Sequence, residues 1–386
     1  MQLLLKNEEY YEVCALPANQ FELRDILEKL RLSDDKAEIH AVIRGDNAVP
    51  ELNNKRLTAD IYRLNFLADR LENTVSPDIY AMRGLVKMET EYDVDELILM
   101  TYGLDSVPVI PCSDAYELGE FAIENDMLPE LEQCADEILE LLDRQKVGEM
   151  FCKRDKGIFI GGFYCVPSNY EQPDIQIEIA RLEPCFFKIL VAPAPKNDEP
   201  TDHLAQWISL PQSREYFDEF AKDLGENSIE DCVFYDYQSA LPSVQFDDMK
   251  KIDMLNDLAH RLNELSNQDF VKLKAVMHLQ NTDTISSAML ETELLGTYEF
   301  DNQICDYDDF ARAYLQKNLP ENFDISTMSD TSLEDFGRDI LGQKQGVVTP
   351  YGVISGRAVS LYEPIISQSE MELTQDFDME FGGMSL

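Results

Sequence analysis

The sequence predicts an α+β protein in which one unit of roughly 170 residues, an ordinary domain size, is used twice. Three observations predict it. A helix-periodic segment recurs: Leu64-Asn65-Phe66-Leu67-Ala68-Asp69-Arg70-Leu71 returns as Leu255-Asn256-Asp257-Leu258-Ala259-His260-Arg261-Leu262, with six of eight positions identical. Its neighbours recur in the same order: Leu16-Pro17 with Leu210-Pro211, Val49-Pro50 with Leu241-Pro242, Tyr116 with Tyr307, Leu128-Pro129-Glu130 with Leu319-Pro320-Glu321, and Gly148 and Gly157 with Gly337 and Gly346. Short strand-like apolar runs are mixed with runs of helical period, and 44% of the 386 residues are hydrophobic, enough to bury real cores.

In the first copy, Leu3 to Leu5 and Tyr10 to Ala15 read as two strands around a charged turn. Pro17-Ala18-Asn19 starts a helix carrying Ile26, Leu27 and Leu30, and Ile39 to Ile43 is a strand, which gives a small β-β-α-β module. The leucines of the recurring segment, at i, i+3 and i+7, form one core-facing stripe. A second helix follows Ser76-Pro77, with Pro at its first position, and a third runs from Val94 to Tyr102. Val107 to Ile110 is a short strand, 116–125 and 131–142 are helices, and Ile158 to Val166 is a Gly-containing strand pair. Residues 167–184, with three prolines, read as a linker between a first unit at 1–166 and a second at 185–363.

The second copy restarts with the apolar strand Cys185 to Val191. Helix Ser213 to Leu224, strand Cys232 to Tyr237 and helix Lys250 to Leu265 repeat the earlier order. Helices at 270–279, 284–295, 307–316 and 333–341 and a strand-like Val347 to Ile354 complete it. The tail, 364–386, is acidic with scattered aromatics and is expected to be disordered.

Charge is the anomaly. Seventy-five Asp and Glu face 32 Lys and Arg, a net −43, and self-repulsion of that size opposes compaction. Counterions are the bland account; a partner with a basic groove is the sharper one. The eight cysteines form no C-x-x-C, and no His stands at zinc spacing; no apolar run is long enough for a signal peptide or a membrane span. A cytoplasmic protein without metal or cofactor is expected.

Enzymatic chemistry finds no footing. Gly157, Gly161 and Gly162 lack phosphate-loop spacing, and the four histidines lie in no catalytic or metal motif. Asp306-Tyr307-Asp308-Asp309 opens like a calcium loop but has no glycine at position six and Lys317 at position twelve. Acidic pairs such as Asp93/Asp95 are what composition alone produces. Nor does a basic stripe exist for binding nucleic acid directly.

The acids are arranged as well as abundant. Glu117, Glu120 and Glu124 share one helical face; Glu132, Asp136, Glu140 and Asp143 form a stripe; Glu215, Asp218 and Glu219 do the same in the second copy. Like charges at such spacings cost a few tenths of a kcal/mol each, and a face built for solubility alone would intersperse lysines. The other reading of these stripes is an ordinary solvated acidic face. Duplex DNA carries one charge per about 1.7 Å, so −43 laid along one surface would match about 70 Å, or about twenty base pairs.

Trp207-Ile208-Ser209-Leu210-Pro211, the Leu-Asn-x-Leu-Ala-x-Arg-Leu helix, Leu118-Gly119-Glu120-Phe121 with Glu124-Asn125, and Leu333 to Ile340 followed by Tyr351-Gly352 together resemble the ArdA-type antirestriction proteins. That resemblance implies an elongated array of small α/β and helical modules from a mobile genetic element. It implies a non-enzymatic DNA mimic that fills the DNA-binding groove of a type I restriction-modification enzyme. On that reading the partner-binding acids are those of the stripes together with Asp308, Asp309, Glu334 and Asp335. The chain departs from the family in holding two units, in placing Cys14 opposite Trp207, and in its tail. The doubling is expected to make an intrachain pseudo-dimer or to leave a homodimer. An acidic adaptor or chaperone for a basic protein, acting through the tail, is the alternative.

Overall fold

The computed structural model describes all residues except 34–35, 90, 130–138, 182, 196–200, 321–322, 358 and 366–386. It mixes helices and antiparallel sheets and divides into two compact units, Met1–Pro184 and Cys185–Leu386.

In the first unit, β1 (Gln2–Asn7) pairs antiparallel with β2 (Tyr10–Ala15) and β3 (Ile39–Gly45), and β4 (Arg56–Ala59) extends the sheet to the order β2-β1-β3-β4. Alternation decides its two faces. Leu3, Leu5, Ile39, Ala41, Ile43, Leu57 and Ala59 are buried in a core shared with α1 (Gln20–Lys29) and α2 (Ile61–Glu72). Asn19 caps α1 in a reciprocal box with Glu22, which satisfies donors that the first turn leaves open. Helices α3 (Asp78–Met88) and α4 (Val94–Met100) follow, with Pro77 at the N-cap of α3, one place earlier than expected. A second sheet, β5 (Val109–Ile110), β6 (Ile158–Ile160) and β7 (Phe163–Cys165) in the order β5-β7-β6, is interrupted by α5 (Ala115–Glu124) and α6 (Arg144–Asp155).

The second unit runs through the same kinds of element in sequence. Strands β8 (Phe187–Ala192), β9 (Gln206–Leu210) and β10 (Val233–Ser239), in the order β10-β8-β9, enclose α7 (Arg214–Asp223) in the chain. Then come α8 (Ile252–Glu264), α9 (Asn267–Gln280), α10 (Ile285–Leu294), β11 (Glu299–Asp301), α11 (Tyr307–Asn318), α12 (Asp330–Gln343), β12 (Gly346–Thr349) and β13 (Gly352–Ser355). The last sheet has the order β11-β13-β12. Strand β4 is the element that the second unit lacks among its described residues.

The leucines and the asparagine of the recurring octapeptide play the same part in both copies. Its leucines are buried on α2 and on α8. Asn65 spans the peptide of Ala18, accepting its N–H at 2.7 Å and donating to its carbonyl at 3.2 Å. Asn256 does the same to Gln212 at 2.8 and 3.0 Å. An amide is the side chain that offers donor and acceptor together, so neither Asp nor Leu replaces it without an unpaired polar group. Arg70 donates to Thr101 at 2.9 and 3.0 Å, and Arg261 reaches Glu293 at the end of α10.

Residues 167–184 are not a free connector. Tyr170, Ile177 and Ile179 pack on the first unit's core, Glu171 N–H donates to Ser106 Oγ at 2.9 Å, and Glu183 N–H donates to Gln20 Oε1 at 3.3 Å. Alternate isoleucines give this proline-containing strap an apolar side to lay down. At the other end Lys344, nearly fully buried, donates to the carbonyls of Ser360 and Glu363 at 2.6 and 2.7 Å, and burial lowers its pKa. The segment up to Ile365 is thus held in the second unit; the rest of the expected disordered tail lies outside the described residues.

Candidate acidic interface

Two helix pairs carry most of the predicted acids, and each is closed by backbone approaching backbone. In the first unit, a Cβ on Gly148 would fall on the Ala115 carbonyl, and one on Gly119 would fall on the Arg144 carbonyl. In the second, Gly337 meets the Tyr307 carbonyl in the same way. The caps agree. Asp114 accepts the Glu117 N–H at 3.0 Å while Glu117 accepts the Ser113 N–H at 2.7 Å; Asp306 accepts the Asp309 N–H at 2.8 Å while Asp309 accepts the Cys305 N–H at 3.3 Å.

These caps shift two expected pairings by one residue. Ala115, not Tyr116, stands where Tyr307 does. Counting back from the two Leu-Pro bends, Val13 and not Cys14 occupies the place of Trp207; both are exposed, whereas Cys14 turns inward beneath β2. The identity of Tyr116 and Tyr307 is coincidental: Tyr116 is exposed, whereas Tyr307 is partly buried against the core around Phe310.

The predicted acids divide into three groups. Glu124, Glu140, Asp218, Glu219 and Asp335 are exposed and make no ion pair or side-chain hydrogen bond among the described residues. Glu117 and Glu215 are exposed but serve the first turns of α5 and α7; hydrogen bonds from its own backbone and from Ser213 hold the Glu215 carboxyl below its usual range. Others are partly neutralised. Glu120 pairs with Arg144 at 3.2 Å, Asp143 with Lys146 at 3.3 Å, Asp308 with Arg312 at 2.7 Å and Glu334 with Arg338 at 2.6 Å. Glu132 and Asp136 lie outside the described residues.

Two of the predicted acids are engaged in helix caps. Asp143 is the N-cap of α6, its pKa lowered chiefly by the Lys146 N–H. Asp309 turns inward to cap α11, and burial, aided by the charge of Asp306, raises its pKa. A carboxylate committed to the local backbone is poorly placed to meet a partner.

Sequence reasoning missed the strongest charge signal. Residues 88–143 contain 17 Asp and Glu and no Lys, Arg or His. Besides Glu124 and Glu140, they expose Glu89, Glu91, Asp105 and Asp126, each without an ion pair or side-chain hydrogen bond among the described residues. A count of cation-free runs would have found the tract; looking at one helical face at a time did not. Net charge is shared almost evenly, −20 over 1–184 and −23 over 185–386.

In the first unit an open cleft of about 400 Å³ contains Asp60 and Asp95, but both are held by Arg63 at 2.8 Å. Among the described residues no three His, Cys, Asp or Glu are grouped to hold a metal ion, and no helix is long and apolar enough to cross a membrane.

Comparison with known proteins gives the acids a context. A search of curated proteins finds no match. The family model described as antirestriction protein (ArdA) matches residues 202–355, from the turn before β9 to the end of β13. Through this stretch, which holds the second copy of the Leu-Asn-x-Leu-Ala-x-Arg-Leu helix and the glycine-closed helix pair, the chain is similar to the ArdA antirestriction family.

Proposed function

We propose that this protein is a DNA mimic whose exposed carboxylates occupy the DNA-binding groove of a type I restriction-modification enzyme or a related defence enzyme. The observation that carries the reading is the cation-free tract at 88–143, with its six exposed, unengaged acids among the described residues. Magnitudes favour it. At one charge per about 1.7 Å, a net −20 equals the charge on about 34 Å of duplex, or about one helical turn, so each unit carries charge enough to replace about ten base pairs. Helical acids at i, i+3 and i+7 rise in steps of about 4.5 and 6 Å, coarser than the 3.4 Å per charge of one DNA strand. One helix is therefore insufficient, and the acids of neighbouring turns and loops must contribute.

The chain is read as a tandem duplicate, because the element order, the Asn65 and Asn256 clasps and the paired caps recur outside the matched stretch. An intrachain pair would replace a bimolecular association with a tethered one. Since only five of the 75 acids lie in 364–386, the units and not the tail hold the charge that a basic groove would meet. The test is competition. The purified chain is titrated into a type I methyltransferase bound to labelled duplex, with displacement at low salt that fades as salt rises as the expected result. Failure to displace duplex at any salt, with a folded chain, overturns the proposal.

A further inference from the structure

Strand β2 ends the first sheet, and the ladder with β1 decides which of its main-chain groups are used. Met1 and Leu16 exchange both hydrogen bonds, at 2.7 and 2.8 Å. In an antiparallel ladder such pairs alternate, so Leu3 with Cys14, Leu5 with Glu12 and Asn7 with Tyr10 do the same. The pairs between them, Gln2 with Ala15, Leu4 with Val13 and Lys6 with Tyr11, turn their N–H and C=O groups away from each other. Tyr11, Val13 and Ala15 therefore direct donors and acceptors off the edge of the sheet. No other segment takes them up among the described residues.

Proteins usually blunt such an edge with lysine, proline or a bulge. This one does not. The ladder keeps its register throughout, and β2 contains neither proline nor a cation. Its one acid, Glu12, faces α1 and is held there by Lys29 at 3.2 Å. Tyr11 and Val13 are instead 56% and 68% exposed, and edge strand β9 of the second unit keeps an exposed Trp207 at the place of Val13.

Charge says what would fit. Lys6 lies over the Tyr11 ring at 5.1 Å and makes no ion pair among the described residues. Its ammonium thus stands above β2, within about one strand spacing, about 4.8 Å, of where a further strand would run. Side chains of an added strand would lie beside Tyr11, Val13 and Ala15 on this face. One carboxylate beside Tyr11 would meet Lys6, while the net −20 of the unit would repel more. We propose that β2 is a docking edge for an extended segment of a partner protein, added antiparallel as a further strand. That segment is uncharged except for one carboxylate beside Tyr11 and carries a branched apolar side chain beside Val13.

The probe is the labelled peptide acetyl-Thr-Val-Thr-Ile-Thr-Glu-Thr-amide, titrated into the full chain by anisotropy. Binding is expected, and methylating the amide nitrogens of its Ile and Glu should abolish it, because those two groups would donate to β2. Val13→Pro, which removes an outward N–H without touching the ladder, should also abolish it, with circular dichroism confirming the fold. Lys6→Gln should bind the peptide about fivefold more weakly, the most an exposed ion pair contributes, and should leave binding of the Glu→Gln peptide unchanged. In hydrogen exchange the amides of Tyr11, Val13 and Ala15 should be fast in the free chain and slow about tenfold at nine-tenths occupancy. No binding by the folded chain, equal binding of the methylated peptide, unchanged affinity in Lys6→Gln, or no added protection of the three amides would each overturn the proposal. So would protection that grows with chain concentration alone, which would mean that a second copy takes the edge.

Discussion

Neutralising part of the cation-free tract tests the mimicry reading where it is most exposed. The variant is Glu91→Gln, Asp105→Asn, Glu124→Gln, Asp126→Asn and Glu140→Gln, all side chains without an ion pair or side-chain hydrogen bond among the described residues. It removes a quarter of the first unit's net charge. If each carboxylate replaces one phosphate, the slope of log affinity against log salt falls by about 0.9 per site, or about 4.5 for five. Between 50 and 200 mM salt the native chain would then lose about 500-fold more affinity than the variant. This is an upper bound, because the slope for DNA comes from counterions condensed on the duplex, and a protein surface of lower charge density condenses fewer to release. Displacement of labelled DNA, followed by anisotropy at three salt concentrations, reads the slope. Thermal stability should hold or rise, since no contact is lost and like charges are relieved. An unchanged slope with full inhibitory potency would remove the tract from the interface.

Gly148→Ala should cost at least about 1–3 kcal/mol in urea unfolding because its Cβ meets the Ala115 carbonyl, whereas Gly342→Ala, in open space on α12, should gain about 0.5–1 kcal/mol. Asn65→Ala and Asn256→Ala should each lose about 1–3 kcal/mol, since each strands the N–H and carbonyl of one peptide. Asp309 has a raised folded-state pKa, so its ionised form disfavours folding; that penalty is present at neutral pH and fades as pH falls through the folded value. Asp309→Asn, whose amide oxygen still accepts from Cys305, should therefore be more stable than the native chain at pH 7, with the advantage shrinking towards pH 4 in urea titrations. Burial pushes the Cys14 thiol up to about 12 and the Cys165 and Cys232 thiols to about 11, so all three should alkylate more slowly at pH 8 than after denaturation.

Much of the fold was legible because its signals are local. Leucine spacing located α2 and α8, and short strand-like runs located β1, β2 and β8. Strand β4 and helix α6 went unseen: Arg56–Ala59 has only two buried side chains, and α6 is strongly charged with three buried residues. The strap at 167–184 looked like a linker because three prolines and mixed polar residues punctuate it, while its packing depends on a core assembled from distant residues. For the interface, the abundance of acid was plain, but the fate of each acid was not. Asp309 and Glu124 are alike in sequence terms; one is drawn in by a cap and the other stays in solvent, and only the backbone around them tells the two apart.

The glycine-closed helix pairs hold together through main chain, with little asked of the residues that point outwards. A lineage with such an architecture can rewrite its exterior one carboxylate at a time and still fold.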